Sequence, residues 1–262
     1  MKETIDITVV IPYFRSSKTI KRAVDSVLQQ TRLPKEILII DDYSNTKLDQ
    51  EILKEIENIE LVRVIFSKNN SGPGGARNIG IENAQSKYIA FLDSDDVWKK
   101  RKLETQFNYM EKYGAFLSGH HSSIFGAKEI DKSSFVNVSP IKQLLKNRFG
   151  TRTVMMRNNR DYKFKEDKRY SEDFLLWSQI VLDKKKSIII NKTLAHSFKE
   201  DYGDSGLTGN VNNMYFGAID AYRILVNESK INSLQFALLV ILQSLKQILR
   251  LFKIKVRKIE KR

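Results

Sequence analysis

Three carboxylates fall within four residues at Asp93-Ser94-Asp95-Asp96. Charges packed that closely repel one another unless something positive sits among them. The chain has no cysteine and only three histidines. An oxygen-rich site for a hard divalent cation, Mn2+ or Mg2+, is therefore the plausible metal chemistry. Such an ion binds through one or two carboxylates plus the phosphate oxygens of a ligand, and it neutralises a diphosphate both as it binds and as it leaves.

Other groups offer complementary chemistry. Asp42, in the pair Asp41-Asp42, is suited to accept hydrogen bonds from a base N–H or a ribose hydroxyl, and Tyr13 or Phe14, after Pro12, to stack on a base. An acidic turn after a strand is more often a helix cap or a solvated loop. Likewise Glu172-Asp173, taken alone, reads as acids favoured in the first turn of a helix. Gly72, Gly74 and Gly75 precede Ala76-Arg77-Asn78. They do not complete a dinucleotide G-x-G-x-x-G, because Arg77 stands at the third glycine position, and no G-K-[ST] follows. Either they only make the turn into a helix, or they also bring Arg77 near a phosphate or carboxylate.

The elements that must hold these groups alternate over the first 100 residues. Ile7–Ile11, Glu36–Ile40, Leu61–Phe66 and Tyr88–Leu92 read as buried strands. Between them, Ile20, Ala23, Val24, Val27 and Leu28, then Leu48, Ile52, Leu53 and Ile56, fall at helical spacing, and a third helix runs through Ala76–Ala84. This alternation predicts an α/β fold, a mainly parallel central sheet with helices on both faces. Ligands of such a sheet bind at the carboxyl ends of its strands, where Pro12-Tyr13-Phe14, Asp42 and Asp93–Asp96 all fall. The second half is less regular, with short strands at 115–118, 153–156 and 187–190 and helices at 141–147, 172–182 and 212–226. A segment from Tyr202 to Asn210, with Gly203, Gly206 and Gly209, reads as a loop that orders over substrate or as an ordinary turn.

With 262 residues, 41% hydrophobic and 29% charged, the chain fits one large globular domain with an appendage. We divide it at 1–228 and 229–262. The lack of cysteine excludes a disulfide framework, a thiolate zinc site and a cysteine nucleophile. The start, MKETIDITVVIPYF, has a short apolar run behind acidic residues, so a signal peptide is not expected. No continuous apolar stretch reaches 18 residues, so no membrane-spanning helix is expected either. The net charge is +14, and Lys246–Arg262 holds eight basic residues against one acid. Residues 231–256 form an amphipathic helical pattern with a polar stripe through Gln243, Lys246, Gln247 and Arg250. This pattern suits an anionic membrane surface; the alternative is packing on the domain or on a second subunit as a homodimer. Aromatic residues for stacking are scarce in the tail, so no nucleic acid is expected.

Five blocks carry a specific resemblance: TVVIPYFRSSKTIKRAVDSVLQQT, EILIIDDYSNT, NNSGPGGARNIGI, YIAFLDSDDVW and RYSEDFLLW. In this order and spacing, over roughly residues 7–180, the chain resembles family 2 glycosyltransferases of the GT-A fold, whose sheet is Rossmann-like. The later LAHSFKEDYGDSGLTGN is similar to members that build bacterial surface polysaccharides.

The resemblance implies a metal-dependent, inverting enzyme. It would move a hexose from a UDP-sugar to a hydroxyl of an acceptor glycan, a lipid-linked oligosaccharide in O-antigen or capsule synthesis. Pro12, Tyr13 and Phe14 would line the uridine pocket, with Asp42 on the base and Arg77 beside the donor. Asp93, with Ser94 next to it, would contact ribose or metal, and Asp95 would ligate the metal. Asp173 matches the family's base, Glu172 stands beside it, Trp177 matches an aromatic near the acceptor, and His196 is a candidate metal or phosphate contact. The location expected is cytoplasmic, peripheral on the inner face of the cell membrane. Two alternatives stand. A sugar nucleotidyltransferase would carry a Gly-rich basic loop after the first strand, which Pro12-Tyr13-Phe14 is not. A non-catalytic basic membrane-binding protein would ignore UDP and metal.

Overall fold

Strand β1 (Thr4–Tyr13) is the axis of the molecule, and every residue from Ile7 to Tyr13 is buried. Its side chains alternate between two cores. Ile7, Val9 and Ile11 face one helical layer and Val10 faces the other, as a parallel strand covered on both sides must. The structure, a computed structural model, describes residues 2–198 and 210–260, with the backbone alone for 253–260.

Beside β1 lie β2 (Leu33–Asp41) and β4 (Tyr88–Phe91), both parallel to it, and β3 (Val62–Phe66) extends the sheet beyond β2. The chain leaves β1 through α1 (Ile20–Leu28) and α2 (Lys47–Glu57) in one direction, then returns through α3 (Gly72–Asn83) to β4 on the other side. The strand order therefore reverses beside β1, and such a switch point leaves a crevice at the carboxyl ends. The second half completes a mixed sheet in the order β3-β2-β1-β4-β8-β6-β9-β5, with β7 on β9. Here β5 is Val97–Trp98, β6 Leu117–Ile124, β7 Asp131–Asn137, β8 Met155–Arg157 and β9 Ser187–Ser197. β8 runs antiparallel to β4 and β6, so the parallel pattern of the first half gives way there.

α6 (Glu172–Leu182) and α3 share the core that holds Val10, and α5 (Pro140–Leu145) and α7 (Val211–Asn227) pack with α6 in a third cluster. Besides the two-residue β5, two longer elements escaped the sequence pattern. α4 (Lys102–Tyr113) buries Lys102 and Gln106 beside Leu103 and Met110, so polar residues interrupt its apolar face. β7 is an exposed, mostly polar strand without alternation. The glycines of 72–75 are already the first turn of α3 rather than a turn before it. The loop expected at Tyr202–Asn210 lies, except for Asn210, outside the described residues.

The last helix, α8 (Ser233–Glu260), lies along α7. Phe236 and Leu239 join the third core cluster, Gln247 Nε2 donates to Asn212 Oδ1 at 3.0 Å, and Tyr215 and Ser244 share a hydroxyl hydrogen bond. Part of the polar stripe thus faces the domain, because polar partners wait there. Leu238, Ile241, Leu245, Ile248 and Phe252 point outward, each more than half exposed. By length and composition alone Ser233–Phe252 is apolar enough to cross a membrane. The sequence reading missed this because its polar residues interrupt any continuous run.

Gly80 sets how closely α3 approaches the sheet. A Cβ there would lie 2.3 Å from Val10 Cγ1 in the buried strand. Gly80→Ala is expected to destabilise the fold by about 1–3 kcal/mol through overpacking. Gly150→Ala, with nothing within 4 Å, should stay within about 0.5 kcal/mol. Equal denaturant midpoints for the two variants would refute the close-approach role.

Candidate active site

At the switch point a cavity of about 590 Å³ opens, walled by the ends of β1, β2 and β4 and the start of α3. Pro12, Tyr13, Phe14, Asp42, Arg77, Asp93, Ser94 and Asp95 all line it, so residues from four separated blocks converge as the strand ends require.

Arg77 is the hinge of the arrangement. It is nearly inaccessible, yet its guanidinium donates to Asp93 Oδ1 at 2.7 Å and to Glu172 Oε1 at 3.3 Å, and it lies over the Phe164 ring. Burial opposes its charge, and Asp93 and Glu172 more than restore it, so its pKa is raised. α3 comes close to α6 and to the 164 segment at Gly74, where a Cβ would lie only 3.3 Å from Glu172 Cγ and from Phe164 Cβ. Asn78, one residue on, exchanges hydrogen bonds with the Phe164 backbone and fixes the same wall.

Glu172 and Asp173 open α6 behind Ser171, whose φ of 57° is left-handed. Burial, with Asp173 next to it, pushes the Glu172 carboxyl up to about 7, and Arg77 resists. Asp173 is also raised by burial, against hydrogen bonds from the Phe174 N–H (2.7 Å) and Asn147 Nδ2 (2.9 Å). Each oxygen of Asp173 keeps acceptor capacity beyond these bonds. Glu172 and Asp173 are not part of the cavity lining. They reach the site through Arg77, and the charges of Arg77 and Asp93 both bear on Asp173.

Of the acidic cluster, Asp93 and Asp95 face the cavity, whereas Asp96 is buried and paired with Arg152 at 2.7 Å. Among the described residues no group of three or more His, Cys, Asp or Glu side chains forms a metal cage. Two carboxylates at one cavity nonetheless suit an ion that takes its remaining ligands from a bound diphosphate and water. The donor set fits that group.

Several expectations need correction. The Tyr13 ring is fully buried, its hydroxyl bonded to Asp49 Oδ1, so of the two rings only Phe14, 45% exposed, has surface to offer a ligand. Trp177 is a core residue against Phe91 and Phe164, with no surface to offer an acceptor. His196 is engaged by Ser123 Oγ at 3.2 Å and Glu129 at 3.3 Å and does not line the cavity. One oxygen of Asp42 accepts from the Ser71 N–H at 2.7 Å and from its hydroxyl, tying β2 to the start of α3.

The sequence reading also missed residues. Arg15, Tyr43 and Asn45 line the cavity and are three of the seven described non-glycine residues with positive φ; strain of this kind gathers at ligand sites. Arg169 brings a further cation. Only Asn45, a turn residue after an acidic pair, left a signal. Asn147 lay within an expected helix, with nothing to link it to Asp173.

Residues 8–170 match the family described as Glycosyl transferase family 2. The UDP-Glc:alpha-D-GlcNAc-diphosphoundecaprenol beta-1,3-glucosyltransferase WfgD of Escherichia coli is 30% identical over 185 residues, covering 70% of this chain and 72% of that protein. An uncharacterized glycosyltransferase of Rickettsia felis is 35% identical over 191 residues, 66% of this chain, but the chain spans only 30% of that relative's length. The structure of S. aureus TarS in complex with UDP-GlcNAc matches with a TM-score of 0.71 at 18% identity, covering 90% of this chain and 70% of that one. That likeness concerns the fold. With the family match across more than half its length and a cavity at the expected strand ends, this chain is a member of glycosyl transferase family 2, built on the GT-A fold.

Proposed function

We propose that the chain is an inverting glycosyltransferase that moves a hexose from a UDP-sugar to a hydroxyl of a lipid-linked acceptor glycan, in the synthesis of a bacterial polysaccharide such as O-antigen or capsule. The observation that carries this reading is the buried relay Asp93–Arg77–Glu172, which ties the cavity to the carboxylate pair at the start of α6. The solved complexes of TarS with UDP-GlcNAc and UDP support a uridine donor. The name of WfgD, which contains a diphosphoundecaprenol-linked sugar, supports a lipid-linked acceptor.

On this reading Phe14 stacks on the base, and the Asp42 oxygen turned from Ser71 accepts from a base or ribose donor. Asp93 and Asp95 would hold Mn2+ or Mg2+, which supplies positive charge to the departing diphosphate. Arg169 and Arg15 add cationic charge to the same wall. Asp173 accepts the proton as the acceptor oxygen bonds to the anomeric carbon and the bond from that carbon to the diphosphate oxygen breaks, releasing UDP. Asn147 fixes the orientation of that carboxylate. Glu172 stays protonated or paired with Arg77, so one acid of the pair serves as base. The tail from residue 229, an appendage packed by one face on α7, brings the domain to the cytoplasmic face of a membrane, and its outward apolar stripe supports this. A homodimer through that stripe is the competing use.

Asp173→Asn is expected to keep UDP binding, read as a melting-temperature shift, and to lose transfer by at least 100-fold, the scale of a lost general base; normal turnover would reject Asp173. In Asp95→Ala, the extra stabilisation that Mn2+ adds to UDP should disappear, and an unchanged metal dependence would reject the ligand role. The Glu172 proton gives a third expectation. Its folded pKa of about 7 lies above the ordinary 4.5, so the folded state holds more protons between these values. Its contribution to stability is full below pH 4.5 and lost as pH rises through 7. Glu172→Gln, which cannot titrate, should therefore gain melting temperature relative to wild type between pH 5 and pH 8; a constant difference would contradict the assignment.

A further inference from the structure

Four cations meet where the end of α5 touches α8. Lys246 on α8 donates its Nζ to the Leu145 carbonyl, joining the two helices. Partial burial lowers the Lys246 pKa, and Arg250, Lys146 and Arg148 lower it further by repulsion. Among the described residues, Lys146, Arg148 and Lys246 have no acidic partner, while Arg148 Nε is held by the Lys142 carbonyl. A corner of like charges gathered this way loses stability until an anion neutralises it.

The surroundings identify the kind of anion. Leu245 and Leu249, flanking Lys246 on α8, are 54% and 61% exposed, and Ile141 on α5 is 70% exposed. Cationic groups thus border the outward apolar face of α8, the complement of a lipid with a charged headgroup. Between Lys146 and Arg148 stands Asn147, whose amide holds Asp173 Oδ2 at 2.9 Å. The corner is therefore one residue removed from the carboxylate assigned as the base.

We propose that the Lys146–Arg148–Lys246 corner binds the phosphate or diphosphate headgroup of a membrane lipid, whose apolar chain lies along the outward face of α8. This deepens the reading that the acceptor is lipid-linked and rests on it. The headgroup held there is that of the acceptor itself, and its attached sugar extends past Asn147 toward Asp173. A helix packed lengthwise on the domain, with polar side chains turned inward, lies in the plane of the bilayer surface rather than across it.

The test uses the full chain with vesicles of phosphatidylcholine or of phosphatidylglycerol, each with and without a polyprenyl diphosphate. Flotation is expected to favour phosphatidylglycerol and to rise further with the lipid diphosphate. Lys146→Gln with Arg148→Gln, which leaves the Lys246 contact intact, should cut that partition about tenfold or more and raise the acceptor KM without changing the UDP-induced melting shift. Equal partition onto phosphatidylcholine and phosphatidylglycerol, or no effect of the double variant, would overturn the proposal. So would a stable dimer that Leu245→Glu dissolves with vesicle binding unchanged, since the face would then join two copies. Inorganic diphosphate bound at the corner without vesicle binding would equally overturn it. The donor reading is judged separately: if UDP with Mn2+ fails to shift wild-type melting, that reading fails whatever the vesicles show.

Discussion

Arg77 sits out of water between Asp93, at the end of β4, and Glu172, at the start of α6. A guanidinium in that position is tolerable only while both carboxylates remain, because removing one partner of a buried pair costs about 3–5 kcal/mol. The consequence is geometric. α3, which carries Arg77, is pinned by Gly80 against β1 and by Asn78 against the 164 backbone, so the two carboxylates are held at fixed places on either side of it. The cavity wall and the carboxylate pair at the start of α6 are in this way one connected unit rather than two neighbouring features.

The same constraint explains the titration behaviour. Glu172 and Asp173 are adjacent, Glu172 buried and Asp173 partly so, and one cation cannot satisfy both. One proton therefore remains on the pair well above the usual carboxylate range. Hydrogen bonds from Phe174 N–H and Asn147 favour the charge on Asp173, while Glu172 leans on Arg77. Two adjacent acids thus receive different surroundings, and environments that push two carboxyls apart let one site hold an acid and a carboxylate together.

Much of this was legible in the sequence, for identifiable reasons. Buried parallel strands leave unbroken apolar runs, so β1, β2 and β4 and the chemistry at their ends could be read directly, and α1 and α6 appear with the boundaries that their spacing implies. α4 escaped because Lys102 and Gln106 occupy its buried face, and β7 because an exposed edge strand has no alternation. At the site, residue type pointed to Asp42, Asp93 and Asp95 but could not separate a surface ring from a buried one. Tyr13 and Trp177 both carry aromatic chemistry, and both spend it in the core. Left-handed backbone at Arg15 and Tyr43 leaves no trace in residue type at all. The tail was legible as amphipathic but not as to which face turned inward, since that depends on Asn212 and Tyr215 in α7.

Amide hydrogen exchange with and without UDP and Mn2+ tests the central claim most directly. If the strand-end cavity is the donor site, protection should appear together at residues 12–16, 42–45, 70–77 and 93–95, and extend through Arg77 to the first turn of α6. Protection confined to other elements, or none at saturating nucleotide, would contradict the account.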